Sequence, residues 1–338
     1  MAALGGIREM GLAACTVLLF ACAKDVEAPP PGAIIADDVS RIEWSGSELY
    51  YSAISRRTGI TTVLDVFAAG EDEPLFELDE NEVWVGLRDG GFIVSRRDDT
   101  SGTSQLFAGL AGNLEALPVP PVRAVALMDR DWLYFFEEGT LMRAPWEGGD
   151  SELVATDDEL RGDPETAHQV MDAVTSDDAF VYYAENVRYV HRLSKSDHEI
   201  TLLLDLADVL DFERLPQPYA IANDADHVYL SLNNQNGAES GAIVKIDKAT
   251  EAAEVLALDA HNPLALALDD DHVYWTRNER NRFAEVGPGA VVRMKKDGSA
   301  LRVIAERQNG PVLLAVTPEH VYWQNNATRE LRRLGLPE

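Results

Sequence analysis

Two cysteines in 338 residues are too few to staple a chain of this size, and one of them, Cys15, lies inside an N-terminal apolar stretch. With that stretch removed, no cysteine pair is left, so the domain that follows must rest on its core. Base is also scarce: 29 Lys and Arg stand against 58 Asp and Glu, for a net charge of −29. Nucleic-acid binding needs clustered cations, as does direct adhesion to anionic lipid headgroups, and the balance excludes both. The apolar stretch from Met10 to Phe20 is too short to cross a bilayer as a mature helix. Gly-x-Ser-x-Gly, His-Glu-x-x-His, a phosphate loop, Cys-based metal spacing and a DxDxDG calcium loop are all missing. What remains is a chain that is 46% hydrophobic, enough to bury one core.

That core is organised around Pro263–Glu306. Leu264–Leu268 and Val273–Thr276 flank Asp269-Asp270-Asp271 and read as a hairpin, since β-branched and aromatic residues suit strands and acidic clusters suit turns. Gly289–Met294 and Leu301–Ala305 form a second hairpin across Asp297-Gly298, whose glycine supplies the positive φ of a tight turn. Four strands in about 45 residues match one propeller blade.

Copies recur along the chain. An apolar-aromatic-apolar signature of the second strand appears at Leu49-Tyr50-Tyr51, Val83-Trp84-Val85, Leu133-Tyr134-Phe135, Val181-Tyr182-Tyr183, Val228-Tyr229-Leu230, Val273-Tyr274-Trp275 and Val321-Tyr322-Trp323. The central aromatics stand 34, 50, 48, 47, 45 and 48 residues apart. Pro218, Pro263 and Pro311 each precede the tyrosine by eleven residues, and His227, His272 and His320 share one position beside a turn. Third strands end in base, at Arg143, Lys245 and Arg293. The expected fold is an all-β, single-domain β-propeller of seven mostly four-stranded antiparallel blades, because one open sheet of so many strands would curl. Small residues alternate in first strands (Ala220 and Ala222, Ala265 and Ala267), which suits the narrow end of a wedge beside the axis. Only Thr61–Phe67 clearly separates Tyr50 from the next unit, so the first blade is expected to hold three strands or two cramped ones, with Pro74–Leu78 opening the second. Gly109–Pro121, Asp157–Ala167 and Leu206–Pro216 read as insertions between units. The last run, Leu331–Leu334, is a third strand with no fourth behind it, and Ala33–Ala36 is expected to supply that strand and close the ring.

The N-terminus has Arg8, an apolar run and Leu19-Phe20-Ala21-Cys22, the plan of a secretory signal over residues 1–21. Its ending resembles a bacterial lipobox. That resemblance implies lipidation of Cys22, and Ala23 after the cysteine implies the outer membrane; the plainer reading is an ordinary signal cut nearby. Residues 22–32, with Pro29-Pro30-Pro31, read as a semi-rigid tether, and 33–338 as the propeller.

Candidate site residues come from topology. Connections entering first strands and second-to-third turns open on one face. That face holds His168, Gln169, Gln217, His261, Asn262, Gln308 and Asn309, together with Arg277, Arg280 and Arg282 and the run Asn233-Asn234-Gln235-Asn236. Loops on a rigid scaffold commonly carry binding. The blade HVYWTRN…GAVVRMKKDGSALRVIAE resembles the YWTD-type propeller repeat, with Asn278 and Arg277 following Thr276 where that repeat has Asp. Members of that family build six-bladed extracellular modules, whereas seven signatures stand here. The resemblance implies an extracytoplasmic binding propeller and transfers no catalytic residue. Two functions stay open: a monomeric binding or assembly module with a protein or small-molecule ligand, needing no cofactor and touching a membrane only through its lipid; or a lactonase- or lyase-like enzyme. The second would hold calcium or another divalent metal in the channel, with His168, His261, Asn262 and Asn309 as its candidate ligands.

Overall fold

The computed structural model describes residues 32–36, 39–45, 48–58, 61–69, 73–88, 91–110, 113–160, 173–185, 188–210, 217–233, 241–258, 260–278 and 288–336. Residues 1–31, and with them Cys22 and most of the tether, lie outside this set, as do His168, Gln169, Arg280, Arg282 and the Asn234–Asn236 run.

Twenty-eight strands form seven four-stranded antiparallel sheets, and six of the seven take their strands in chain order. The innermost strands are Val39–Ser45, Glu82–Arg88, Ala124–Met128, Ala173–Ser176, Gln217–Asn223, Leu266–Leu268 and Pro311–Val316. The innermost strand of the seventh blade lies beside that of the first, so the sheets meet head to tail as a β-propeller. The seventh blade takes its outermost strand from Ala33–Ala36, which runs antiparallel to Glu330–Gly335 with Ala33 opposite Arg333 and Ile34 opposite Arg332. Helix is confined, among the described residues, to Asp157–Leu160 and a 3₁₀ turn at Leu206–Asp208.

A blade is a sheet that is apolar on both faces and must bury each against a neighbour. The buried apolar residues accordingly fall into seven clusters, one at each junction from first–second round to seventh–first. The central tyrosine of the second strand points the same way each time: Tyr134, Tyr182, Tyr229, Tyr274 and Tyr322 all enter the cluster shared with the following blade.

The repeat register differs from the sequence reading at the first two blades. Val83-Trp84-Val85 belongs to the innermost strand of the second blade, and Phe92-Ile93-Val94 holds the second-strand position. Ile93 falls near the midpoint between Tyr50 and Tyr134, which evens out the repeat. The run around Pro74–Leu78 closes the first blade instead of opening the second: Phe76–Glu77 pairs with Asp65 and Val66, so the first blade has its four strands. The supposed insertion Gly109–Pro121 contains the fourth strand of the second blade, Asn113–Ala116.

Prolines that open innermost strands sit where they do because a glycine faces them. A Cβ on Gly289 would stand 2.4 Å from Pro311 Cδ, and one on Gly241 would stand 2.7 Å from Pro263 Cδ and 2.6 Å from Leu232 O. The third strand of one blade thus abuts the proline of the next, and only glycine leaves room.

The acidic first-hairpin turns have two uses. One carboxylate oxygen caps the turn: Asp129, Asp177, Asp224 and Asp269 each accept the N–H groups two and three residues on through Oδ1. The other oxygen binds outward. Tyr182, Tyr229 and Tyr274 donate their hydroxyls to Oδ2 of Asp177, Asp224 and Asp269. A lysine from the following blade completes the set, with Lys195 Nζ 2.7 Å from Asp129, Lys248 Nζ 2.8 Å from Asp177 and Lys296 Nζ 2.9 Å from Asp224. The base ending each third strand adds a second rung. Arg143, Arg192 and Lys245 donate to the carbonyls of Lys195, Lys248 and Lys296. Burial pushes the Asp177 and Asp224 carboxyls up, but the lysine and the turn N–H groups outweigh it, holding Asp177 below the usual range and Asp224 at about 2.

Two outcomes follow. Deleting residues 1–36 should lower the melting temperature by roughly 5–10 °C relative to deleting 1–31, by calorimetry, because the last blade loses a strand and its packing. An unchanged melting point would rule the closure out. Since Asp177 and Asp224 have depressed folded pKa values, their stabilisation is complete above the ordinary 3.8 and is lost as pH falls toward about 2 for Asp224. Lys248→Met should cost roughly 1–3 kcal/mol at pH 7 in urea titrations, with the deficit shrinking as the pH drops through that window.

Candidate functional site

Strand direction sorts the loops into two ends. The acidic turns and their lysines occupy one. The other, here the entry end, collects the connections into innermost strands and the second-to-third turns, and all the described site candidates lie there.

His261, Asn262, Arg277, Gln308 and Asn309 gather at the entry end of the sixth blade. Asn278, which ends the second strand, donates its N–H to His261 O at 2.8 Å and its amide Nδ2 to Pro311 O at 2.9 Å. It thereby ties the fifth-to-sixth connection to the first residue of the seventh blade. Asn262 Nδ2 reaches Asn278 O at 3.5 Å. His261 and Asn262 are consecutive left-handed residues, φ 55° and 53°, the sharp bend by which the chain turns into the blade. Beside them Pro288 and Gly289 pair with Asn309 and Gln308 across the sheet. Gln217 stands one blade away, opposite Asn233 at the entry end of the fifth.

The amides divide by burial. Asn262 is 4% exposed and Gln308 1%, so these two side chains belong to the packing of the junctions. Gln308 Oε1 accepts from Trp323 Nε1 at 2.9 Å and from Asn325 Nδ2 at 3.2 Å, while its own Nε2 donates to Glu306 O. Asn309 is exposed, and Gln217, His261 and Arg277 are half-buried. The accessible candidates at this end are therefore Gln217, His261, Arg277 and Asn309, above the buried amides of Asn262 and Gln308.

Sequence reasoning missed Tyr219 and Val83. Both stand on innermost strands yet are 54% and 53% exposed, and Tyr219 sits where the pairing with the second strand slips by one residue. A signal for Tyr219 was present: it follows Pro218 where the equivalent copies carry Leu264 and Val312. On the first blade's innermost strand Arg41 lies 5.6 Å over the Trp84 ring and 3.4 Å from Glu43, whose Oε1 accepts Leu87 N from the second blade. Burial pushes the Glu43 carboxyl up against the pull of Arg41 and that N–H.

The other described histidines pack against turns, rings or neighbouring strands. His227 and His272 lie against their turn aspartates at 3.6 and 3.3 Å, and His320 tilts over Tyr322 at 5.8 Å. His191 is buried and stacked on Tyr183 at 5.1 Å, with Nε2 3.4 Å from Glu185; burial pushes its pKa down despite that carboxylate. His198 bends the opposite end with φ 61°. Among the described residues no three His, Cys, Asp or Glu side chains gather as a metal ion would require. Chemically, the entry end offers amide, imidazole and guanidinium groups, with the exposed Tyr219 on the innermost strand of the fifth blade.

No protein-family model matches the sequence, and no curated protein is significantly similar to it. Many solved structures share the fold. YCF48 bound to D1 peptide superposes with a TM-score of 0.59 at 10% identity, over 91% of this chain and 96% of that one. The computationally designed Ika8 protein gives 0.58 at 10% identity, covering 91% and 99%. BamB from Moraxella catarrhalis gives 0.52 at 16% identity, covering 91% and 99%. At these identities the likeness shows a shared architecture: the chain is a seven-bladed β-propeller.

Proposed function

We propose that the chain is a binding or assembly module that meets a protein partner through the entry end of its fifth to seventh blades. The observation that carries this is the convergence of Gln217, His261, Arg277 and Asn309 on one end, held from beneath by the buried Asn262, Asn278 and Gln308. A surface whose supports are locked pre-organises its contacts and loses little entropy on binding. The peptide complex of YCF48, one of the structures with this fold, supports a peptide or protein as the ligand. The Tyr-Trp-Thr run at Tyr274–Thr276 and the hairpin through Asp297-Gly298 support a YWTD-like repeat with seven blades in place of six.

The Leu-x-Ala-Cys ending supports lipidation of Cys22 and, with Ala23, residence at the outer membrane of a bacterial envelope. The protein then acts as a monomer on a short tether, with lipid as its sole membrane contact and no cofactor.

Two measurements test this. Recovery of partners from detergent-solubilised membranes should fall about tenfold or more when Arg277, Arg280 and Arg282 are all reversed to Glu. Unaltered recovery by a variant that melts normally would overturn the partner face. Cys22→Ser should move the protein from the membrane to the soluble fraction and abolish incorporation of labelled palmitate, and continued membrane retention would overturn the anchor.

A further inference from the structure

We propose that the perimeter groove between the fourth and fifth blades takes an extended basic peptide of a partner protein, added as a further strand along Ile200–Asp205. This second surface lies on the perimeter, along the outermost strand and up to the start of the connection that leads to Gln217, and its test is separate from that of the reading above.

Three observations carry it. First, Ile200–Asp205 is the outermost strand of the fourth blade. It pairs inward with Tyr189–Ser194, and among the described residues no strand pairs with its outer edge. Unpaired edges are normally blunted by charge, by proline or by shortness. The outermost strand of the sixth blade carries Arg302 and Arg307, those of the third and fifth carry Glu152 and Glu254, and that of the first has only two residues. Ile200-Thr201-Leu202-Leu203-Leu204, by contrast, runs for five residues without charge or proline before Asp205, with one bulge at Leu203 in its inner pairing.

Second, the edge borders a cavity. Leu202, Leu203, Leu204, Val209 and Ala253 line a groove of roughly 340 Å³, room for a few side chains. Leu203 and Leu204 are committed to the junction core, whereas Leu202 is 48% exposed and stands outside that core. An added strand would cover it.

Third, the rim has one sign. Asp205, Asp208 and Glu251 complete the lining, and among the described residues no Lys or Arg lines it. Arg188 holds Asp205 and Arg192 holds Glu251 from outside, which fixes both carboxylates in place. A second copy of this chain would bring its own net charge of −29 to the same place, and like charge disfavours it. A strand that alternates apolar and cationic residues satisfies the backbone edge, covers Leu202 and meets the rim.

The test uses the full chain and a fluorescent alternating Lys-Val peptide of roughly nine residues, titrated by anisotropy at about 150 mM salt. Controls are a block-sequence peptide of the same composition and an alternating peptide N-methylated along one edge. Binding of the alternating peptide is expected. It should weaken at least about tenfold with N-methylation and with Leu202→Asn, a neutral change that leaves the rim charge alone. If Leu202→Asn misfolds, the N-methylated peptide on the unaltered chain decides. Equal binding of the block peptide would reduce the effect to bulk charge and overturn the proposal, as would indifference to N-methylation or no binding at all. A dimer seen in sedimentation and dissolved by Leu202→Asn would overturn it in favour of a second copy.

Discussion

No blade of this protein can bury its own faces. Each sheet has apolar residues on both sides, and each of the seven hydrophobic clusters is shared between two neighbours. Stability is therefore a property of junctions, and a chain of wedges is complete only when the last junction is made. In the seventh blade Ala33–Ala36 lies against Glu330–Gly335, so two segments about 300 residues apart share one sheet. That pairing joins the first strand to the last within a stretch, residues 33–338, that contains no cysteine.

The two ends of the ring divide the polar work. At one, acid is consumed by structure. A single aspartate caps its turn with one oxygen and receives a tyrosine and the next blade's lysine with the other. The high acidic content thus serves turns and inter-blade rungs before it serves solubility. At the entry end the same structural demand is met by uncharged amides, Asn262, Asn278, Gln308 and Asn325, which are buried and bonded to backbone or to each other. These neutral supports add no charge of their own to that end, where Arg277 is half-buried.

Much of the architecture was legible because a propeller repeats itself. The tyrosine and the proline eleven residues before it hold one register from the fifth unit onward, the capping aspartate recurs from the third to the sixth, and each has a mechanical reason now visible: the junction cluster, the Gly–Pro contact and the capped hairpin. The first two blades were misread where that reasoning had least to work with. Trp84 on an innermost strand imitates a second-strand aromatic, Phe76–Glu77 is too short to show a period, and Asn113–Ala116 lacks β-branched residues. The lysine rungs were hidden for another reason. Lys248 and Asp177 lie 71 residues apart, and nothing local to either announces the other. Of the candidate site, topology placed the described loops on one end, but an exposed Asn or Gln reads the same in sequence as a buried one. Only burial separates Gln308 and Asn262 from Asn309 and Gln217.

The closed ring is the claim on which the entry face, the rungs and the perimeter groove all depend. Peptide-level hydrogen exchange of the intact protein addresses it directly, by comparing Ala33–Ala36 with the outer strand Ala253–Leu258. The account predicts that the N-terminal amides bonded to Glu330–Gly335 exchange as slowly as those of the fifth blade and lose protection with global unfolding. Exchange within seconds under conditions where Ala253–Leu258 stays protected would show an open ring and contradict it.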